Sequence, residues 1–498
     1  MPVWKDLRDR LLNFCLPVRE RQHDHRQDLE TIDVNMDKTT RPKGTPKPEW
    51  IETFAELSDE EAIMEFSKQF EDELELLKTA ESTIERNDQP TIGADSDGLT
   101  PSKRIFGEDY PEVNRTCVSM LCLKWLMTRN YDAFTANQPQ PVKMSRESFD
   151  VLCNLASEPT RVGTGSRAKV DRQAFTALLV AVVVGDIGKD KNFEQSVLAK
   201  VQQRNLDALA HPLNHDEILY LAAQQGLIPS MKRLLRPEYQ DIVLLGLRAG
   251  SLVNVSQLAQ AENVPGSLRP IEVLKGRQQA FLLKYLEVIL DVSGAGGHID
   301  SRSALRMIEP VFQAYATCRY ALEDIIAGRK NLRQAYDQVL QQRGKLLDAK
   351  GFKRLSATIP SERALLRLMC MGRVDNPQNA GLMATAFDGM RNTSRQKLID
   401  GLSVDGIEDG EAILLYYIPG VFAETFKIMR ESSNPRKIEA LRSVMRFMVK
   451  VYGGSKPQPG QPGKITERNV GLAAKDIIAT DEFKHDPSIL DGYDLVGS

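Results

Sequence analysis

Ala177-Leu178-Leu179-Val180-Ala181-Val182-Val183-Val184-Gly185-Asp186-Ile187-Gly188-Lys189-Asp190 opens with the most apolar run of the chain and ends in glycine and charge. The apolar part is far short of the roughly 20 residues that a membrane span needs. A helix apolar on every side belongs inside a protein core. Arg172–Val184 therefore reads as a central buried helix, with Asp171 as its N-cap. The carboxylate of Asp186 then falls at the negative end of the helix dipole.

A second stretch repeats this pattern. Val273–Leu290 is helix-periodic and apolar, and runs into Leu290-Asp291-Val292-Ser293-Gly294-Ala295-Gly296-Gly297-His298-Ile299-Asp300. Around these two stretches the apolar residues recur at helical spacing in Val113–Thr128, Arg146–Ala156, Phe193–Leu209, Asp216–Gln225 and Ser303–Ile326. The same period marks Leu332–Leu347, Glu362–Met371, Gln378–Met390, Gly420–Arg430 and Arg436–Val451. Few segments alternate as strands do, and no fixed-period repeat is present. The expected fold is all-α: a multi-helix core with additional C-terminal helices and flexible N- and C-terminal segments.

The 498-residue composition agrees. Aromatic residues are only 6%, fewer than sheets favour. The net charge of −3 gives no global electrostatic case for nucleic-acid binding. The six cysteines are scattered and form no C-x-x-C pair, so they read as reduced, buried thiols. Met1–Arg10 is charged and lacks a signal-peptide core. A soluble, cytoplasmic protein is expected, with no membrane partner.

Residues 1–50 read as a flexible N-terminal segment ending in a proline-rich tail, Arg41–Pro48. Residues 51–111 read as an acidic helix and loop. Ser58-Asp59-Glu60-Glu61 is a capping box opening a helix to about Ile84. Residues 52–86 hold 12 acids against three bases, which is either a solvated face or a surface for a basic partner. Residues 112–452 form the expected helical core, and 453–498 a Gly/Pro linker with a tail that either docks back or stays mobile. A helical pattern over Glu467–Ile478 marks that tail. Residues 328–355 and 427–450 are strongly basic but lack interleaved aromatics, so single-stranded nucleic acid is weakly supported as a partner.

The chemistry concentrates between residues 185 and 300. A buried carboxylate at a helix C-terminus loses hydration and faces like charge, so Asp186 and Asp291 need a cation nearby. A divalent metal is one answer, and Lys189 or Lys284 as salt-bridge partners is the other. Carboxylate and imidazole suit Mg, Mn, Fe or Zn. The candidate metal ligands are Asp186, His215, Asp216, Asp291 and His298, and the candidate catalytic residues are Asp186 and Lys189.

Asp186-Ile187-Gly188-Lys189 resembles the signature of the HD-domain metal-dependent phosphohydrolases, which usually read His-Asp-Ile-Gly-Lys. That resemblance implies an all-helical fold and a metal held by His and Asp from several helices. Asp186 would be the motif Asp, His215 a later His and Asp291 the distant Asp. This chain departs from the motif at Gly185, which replaces its His, and no His lies between His25 and His211. A broader resemblance is to an uncharacterised family of fungal proteins. It rests on Gly185–Asp190, Asn214-His215-Asp216, Leu258–Pro265 and Leu290–Asp300.

Each motif also has a purely structural reading. Asn214 with Glu217 is an N-cap, Asp300 caps a helix starting near Ser303, and His298 is a turn residue. Two functions follow. One is a divergent or degenerate metal-dependent phosphohydrolase acting on a small phosphorylated ligand. The other is a non-catalytic helical scaffold or interaction protein with a protein partner. The metal reading requires Asp186 and Asp291 to meet a ring nitrogen of His215 or His298 within about 6 Å. It also expects the turn Gly294–His298 to form the mouth of a polar pocket, with His298 pointing in.

Overall fold

The computed structural model describes residues 49–80, 98–162, 169–203 and 213–494. The flexible segment expected over 1–50 lies almost wholly outside the described residues. The chain is predominantly helical, as the periodicity predicts.

The capping box forms: the Ser58 hydroxyl accepts from the Glu61 N–H, and the Glu61 carboxylate accepts from the Ser58 N–H. It opens α1 (Asp59–Gln69), and α2 (Glu71–Thr79) follows. The expected single acidic helix is therefore two. Phe70 leaves helical geometry between them, fully buried, with its ring 4.8 Å from that of Phe66. Asp59 accepts from Lys124 Nζ at 2.7 Å and Trp125 Nε1 at 2.9 Å, tying α1 to α3 (Pro111–Met127). Much of the acidic charge is thus spent on caps and local pairs.

The central helix α4 (Arg172–Val184) is buried from Ala174 onward and capped by Asp171, as read from the sequence. Pro237–Leu252 forms α5, and α6 (Gln278–Gly294) packs on α3, α4 and α5. The expected helix Val273–Leu290 starts late because Pro265–Leu274 is a 3-10 segment and Gly276 has φ +70°. The helix expected from Ser303 starts at Glu309 as α7 (Glu309–Ile326), with Pro310 in its first turn. Asp300 does not cap it; its carboxylate accepts from the backbone and guanidinium of Arg302 and from Asn137.

The second half contains α8 (Leu332–Ala349), α9 (Pro360–Met371) and α10 (Asn434–Tyr452). Between and behind them runs a feature that alternation does not reveal. β1 (Asp409–Tyr416) pairs in parallel with β2 (Gln461–Asn469). β1 is buried from Ala412 to Leu415 on both faces, so it reads as a plain apolar run. The residues expected as a linker and tail thus supply a strand. The chain beyond docks back on α10: Phe483 and Leu490 are fully buried, Ser443 donates to the Pro487 carbonyl, and Arg446 donates to Asp491 at 2.8 Å. These bonds neutralise part of the basic face of α10.

A polar brace holds this half together. Arg363 and Arg367 are each 1% exposed. Arg363 donates to Asp337 and the Leu402 carbonyl, and Arg367 to the carbonyls of Ala261, Leu402 and Asn263. Tyr336 lies beneath both guanidiniums, and its hydroxyl reaches the same Ala261 and Asn263 carbonyls. Among the described residues no helix is long and apolar enough to cross a membrane.

Candidate functional site

Three helices meet at Asp186. α3 presents Glu112, Arg115, Thr116 and Ser119, one helical stripe in an otherwise apolar segment. α6 presents Lys284, Glu287 and Asp291, again on one face. The turn after α4 brings Gly185, Asp186 and Lys189.

Glycine makes the approach of these elements possible. A Cβ on Gly294 would lie 2.1 Å from Ser119 Oγ and 2.5 Å from the Arg115 carbonyl. One on Gly297 would meet the Asn114 carbonyl at 2.8 Å. The Gly-rich turn thus clamps α6 to α3. One on Gly250 would strike Lys284 Cε at 2.5 Å, so α5 leaves a channel for the lysine stem.

The charges interlock. Arg115 Nη1 donates to both oxygens of Glu112 at 2.9 Å, and lies 3.8 Å from Asp186. Its Nη2 lies 3.9 Å from Asp291. Lys189 Nζ pairs with Asp186 at 2.7 Å and with Glu112 at 3.3 Å. Lys284 pairs with Glu287 at 2.6 Å. Asp291 is half exposed, at 51%, and stands at the rim.

Burial and the neighbouring Asp186 raise the Glu112 carboxyl. Asp186 is desolvated too, but Lys189, a hydrogen bond from Glu112 and Arg115 together hold it below the usual carboxylate range. The two neighbouring carboxyls are thus pushed apart, Glu112 upward and Asp186 downward. Burial pushes Glu287 up to about 7 against the pull of Lys284. Four carboxylates, Glu112, Asp186, Glu287 and Asp291, face three bases, Arg115, Lys189 and Lys284. Asp216 contributes a further negative charge at longer range.

A small cavity opens here, lined by Thr116, Ser119, Val182, Gly185, Asp186, Glu287 and Asp291. It has room for about one water-sized group. Its polar lining offers carboxylates and hydroxyls, with the cations set behind them. The arrangement can hold a proton and a water, and can stiffen the junction of three helices.

The structure brings together Asp186, Lys189 and Asp291 of the residues singled out from the sequence. His215 and Asp216 stand in the first turn of the helix His215–Gln224, capped by Asn214 and Glu217 as in the structural reading. His215 Nε2 lies 3.7 Å from Asp216, and the His215 carbonyl abuts Gly188. His298 does not line the cavity. It is half-buried, and burial and nearby Arg115 and Arg306 lower its proton affinity. Among the described residues, no three His, Cys, Asp or Glu side chains group as a metal ion would need. Sequence reasoning missed Glu112, Arg115 and Glu287. Their signal was available: charges at helical spacing inside apolar segments.

No curated protein matches the chain, and no solved structure matches it. A family model described as a family of unknown function (DUF6829) matches residues 63–490. The match spans both halves of the fold, including β2 and the docked C-terminal segment, and the chain belongs to that family.

Proposed function

We propose that this protein is a non-catalytic helical scaffold whose buried charge network fixes the packing of α3, α4 and α6. The observation that carries this reading is the charge balance around Asp186. Arg115 and Lys189 already supply the cations that its carboxylate requires. The cavity beside it is water-sized and lined by three carboxylates, which repel a phosphate rather than cradle one.

The alternative is a divergent HD-like metal site. It draws support from the placement of Asp186 and Asp291 on either side of one guanidinium. Elemental analysis of full-length protein without a histidine tag separates the two. The scaffold reading expects no stoichiometric transition metal, no change of Tm with chelator, and no hydrolysis of phosphomonoesters or nucleotides with added Mn or Mg. Stoichiometric metal that disappears in Asp186→Asn overturns it.

A further inference from the structure

We propose that the surface formed by Tyr416, Tyr417, Glu467 and Leu472 docks a basic segment of a partner protein, one carrying Lys or Arg beside an apolar residue. This rests on the scaffold reading and names the chemistry of its partner.

Two exposed large apolar side chains stand together here. Tyr417 is 48% exposed and Leu472 is 56% exposed. A Cβ on Gly471, next to Leu472, would lie 3.1 Å from Tyr417 Cδ2. The Tyr416 and Tyr417 rings are 3.9 Å apart at their centroids, and the Tyr416 hydroxyl donates to that of Tyr417 at 3.1 Å. Exposed aromatic faces of this kind attract cations.

The fold spends backbone strain to hold Tyr417 outward. Among the described residues, four non-glycine residues have positive φ: Arg129, Ala261, Arg373 and Tyr417. Three of these four are knit together at this place. Glu262, 5% exposed, accepts from the Tyr417 N–H at 2.5 Å. Gln260 accepts from Arg373 Nε at 2.7 Å, and Ala261 lies between these two acceptors with its carbonyl held by Arg367 and Tyr336. A left-handed residue costs on the order of 1 kcal/mol and persists only where its surroundings impose it. The Arg367 brace therefore anchors the loop that latches Tyr417 in place.

Charge selects the partner. Glu467 stands on β2 opposite Leu414, on the face shared with Tyr416, and is exposed. Burial of its surroundings raises its carboxyl, and its charge in turn reaches Glu262 and Tyr416. Arg373, itself exposed, offsets the buried Glu262, and Glu467 is the carboxylate of this surface that faces solvent. An aromatic pair, an apolar side chain and an outward carboxylate complement a cationic side chain with an apolar neighbour. They disfavour an acidic one.

The test uses the full-length protein and fluorescence anisotropy. The probe is a short fluorescein-labelled peptide of alternating leucine and lysine, with a leucine–glutamate peptide as control. Three variants keep the fold: Tyr417→Asn, since Asn tolerates left-handed backbone, and the surface changes Leu472→Ser and Glu467→Lys. Unchanged circular dichroism and Tm verify each. Tyr417→Asn is expected to weaken lysine-peptide binding about threefold to fivefold, the range of an exposed cation–aromatic contact. Glu467→Lys should weaken it at least as much, and the glutamate peptide should not bind. Equal binding of both peptides, or affinity unmoved by all three variants, overturns the proposal. Neither result depends on whether Asp186 holds a metal, so the scaffold reading is judged separately.

Discussion

Two buried charge networks, one in each half of the molecule, solve the same problem in different ways. Around Asp186, carboxylates outnumber bases, two contacts stretch to nearly 4 Å, and a water-sized cavity remains. Around Arg367, the bases are in excess and backbone carbonyls satisfy them directly, at 2.7 to 3.2 Å. The first network can change its protonation, because burial raises the carboxyls of Glu112 and Glu287, the latter to about 7. The second has no such freedom, since guanidinium stays charged. The difference separates a junction that responds to pH from a brace that only holds.

The largest expected effect breaks the brace. Arg367→Leu removes three charge-assisted hydrogen bonds from buried carbonyls, leaving each with only its bond from Tyr336 or Arg363, and should cost about 4 kcal/mol in urea unfolding. The same change near Arg115 should cost less, because Arg115 stands by a cavity that water can fill. If Arg367→Leu proves nearly neutral, the contrast between the halves is false.

Next comes the clamp between α3 and α6. Gly294→Ala drives a methyl into Ser119 and the Arg115 carbonyl and should cost about 3 kcal/mol. A loss well under 1 kcal/mol would mean that the two helices separate easily.

The third prediction sharpens the pH contrast. Glu287 ionises at the ordinary 4.5 when unfolded and at about 7 when folded. A raised carboxyl stabilises the folded state at low pH, and that contribution is lost as pH climbs from about 4.5 to about 7. The decline should be about 3 kcal/mol from this group. The double variant Lys284→Met with Glu287→Gln, which leaves no unpaired charge, should flatten that part of the stability–pH curve. An unchanged curve places the titration elsewhere.

The smallest effect is expected from Asp186→Asn, about 1 kcal/mol, because Glu112 already accepts from Lys189 and Arg115 and, without the charge of Asp186 beside it, ionises more readily. NMR of the side-chain carboxyls should show Glu112 titrating at lower pH in the variant. Loss of several kcal/mol would mean that Glu112 cannot substitute.

Most helices were legible because their signals are local. Asp171 before Arg172–Val184, Ser58 with Glu61, and Asn214 with Glu217 all cap as their spacing predicts. β1 was not legible: buried on both faces, Ala412–Leu415 shows no alternation. The candidate site was half legible. Asp186, Lys189 and Asp291 could be read as carboxylates and a base in apolar company, whereas Glu112 and Arg115 belong to a different helix whose placement no local pattern reveals.

The amino-acid sequence by itself determined that Arg172–Val184 is buried, that Asp186 requires positive charge, and that the glycines at 294–297 permit close approach, whereas Asp291, expected to be buried as well, stands half exposed. These follow from hydrophobicity, desolvation and side-chain volume, which act residue by residue. Only the tertiary structure decided which side chains stand beside Asp186, since Lys189, Lys284 and Arg115 carry the same charge until distances are set. It likewise decided that β2 pairs with β1 and that the C-terminal segment covers α10. Both depend on partners far apart in the chain, and a one-dimensional pattern carries no distance between them.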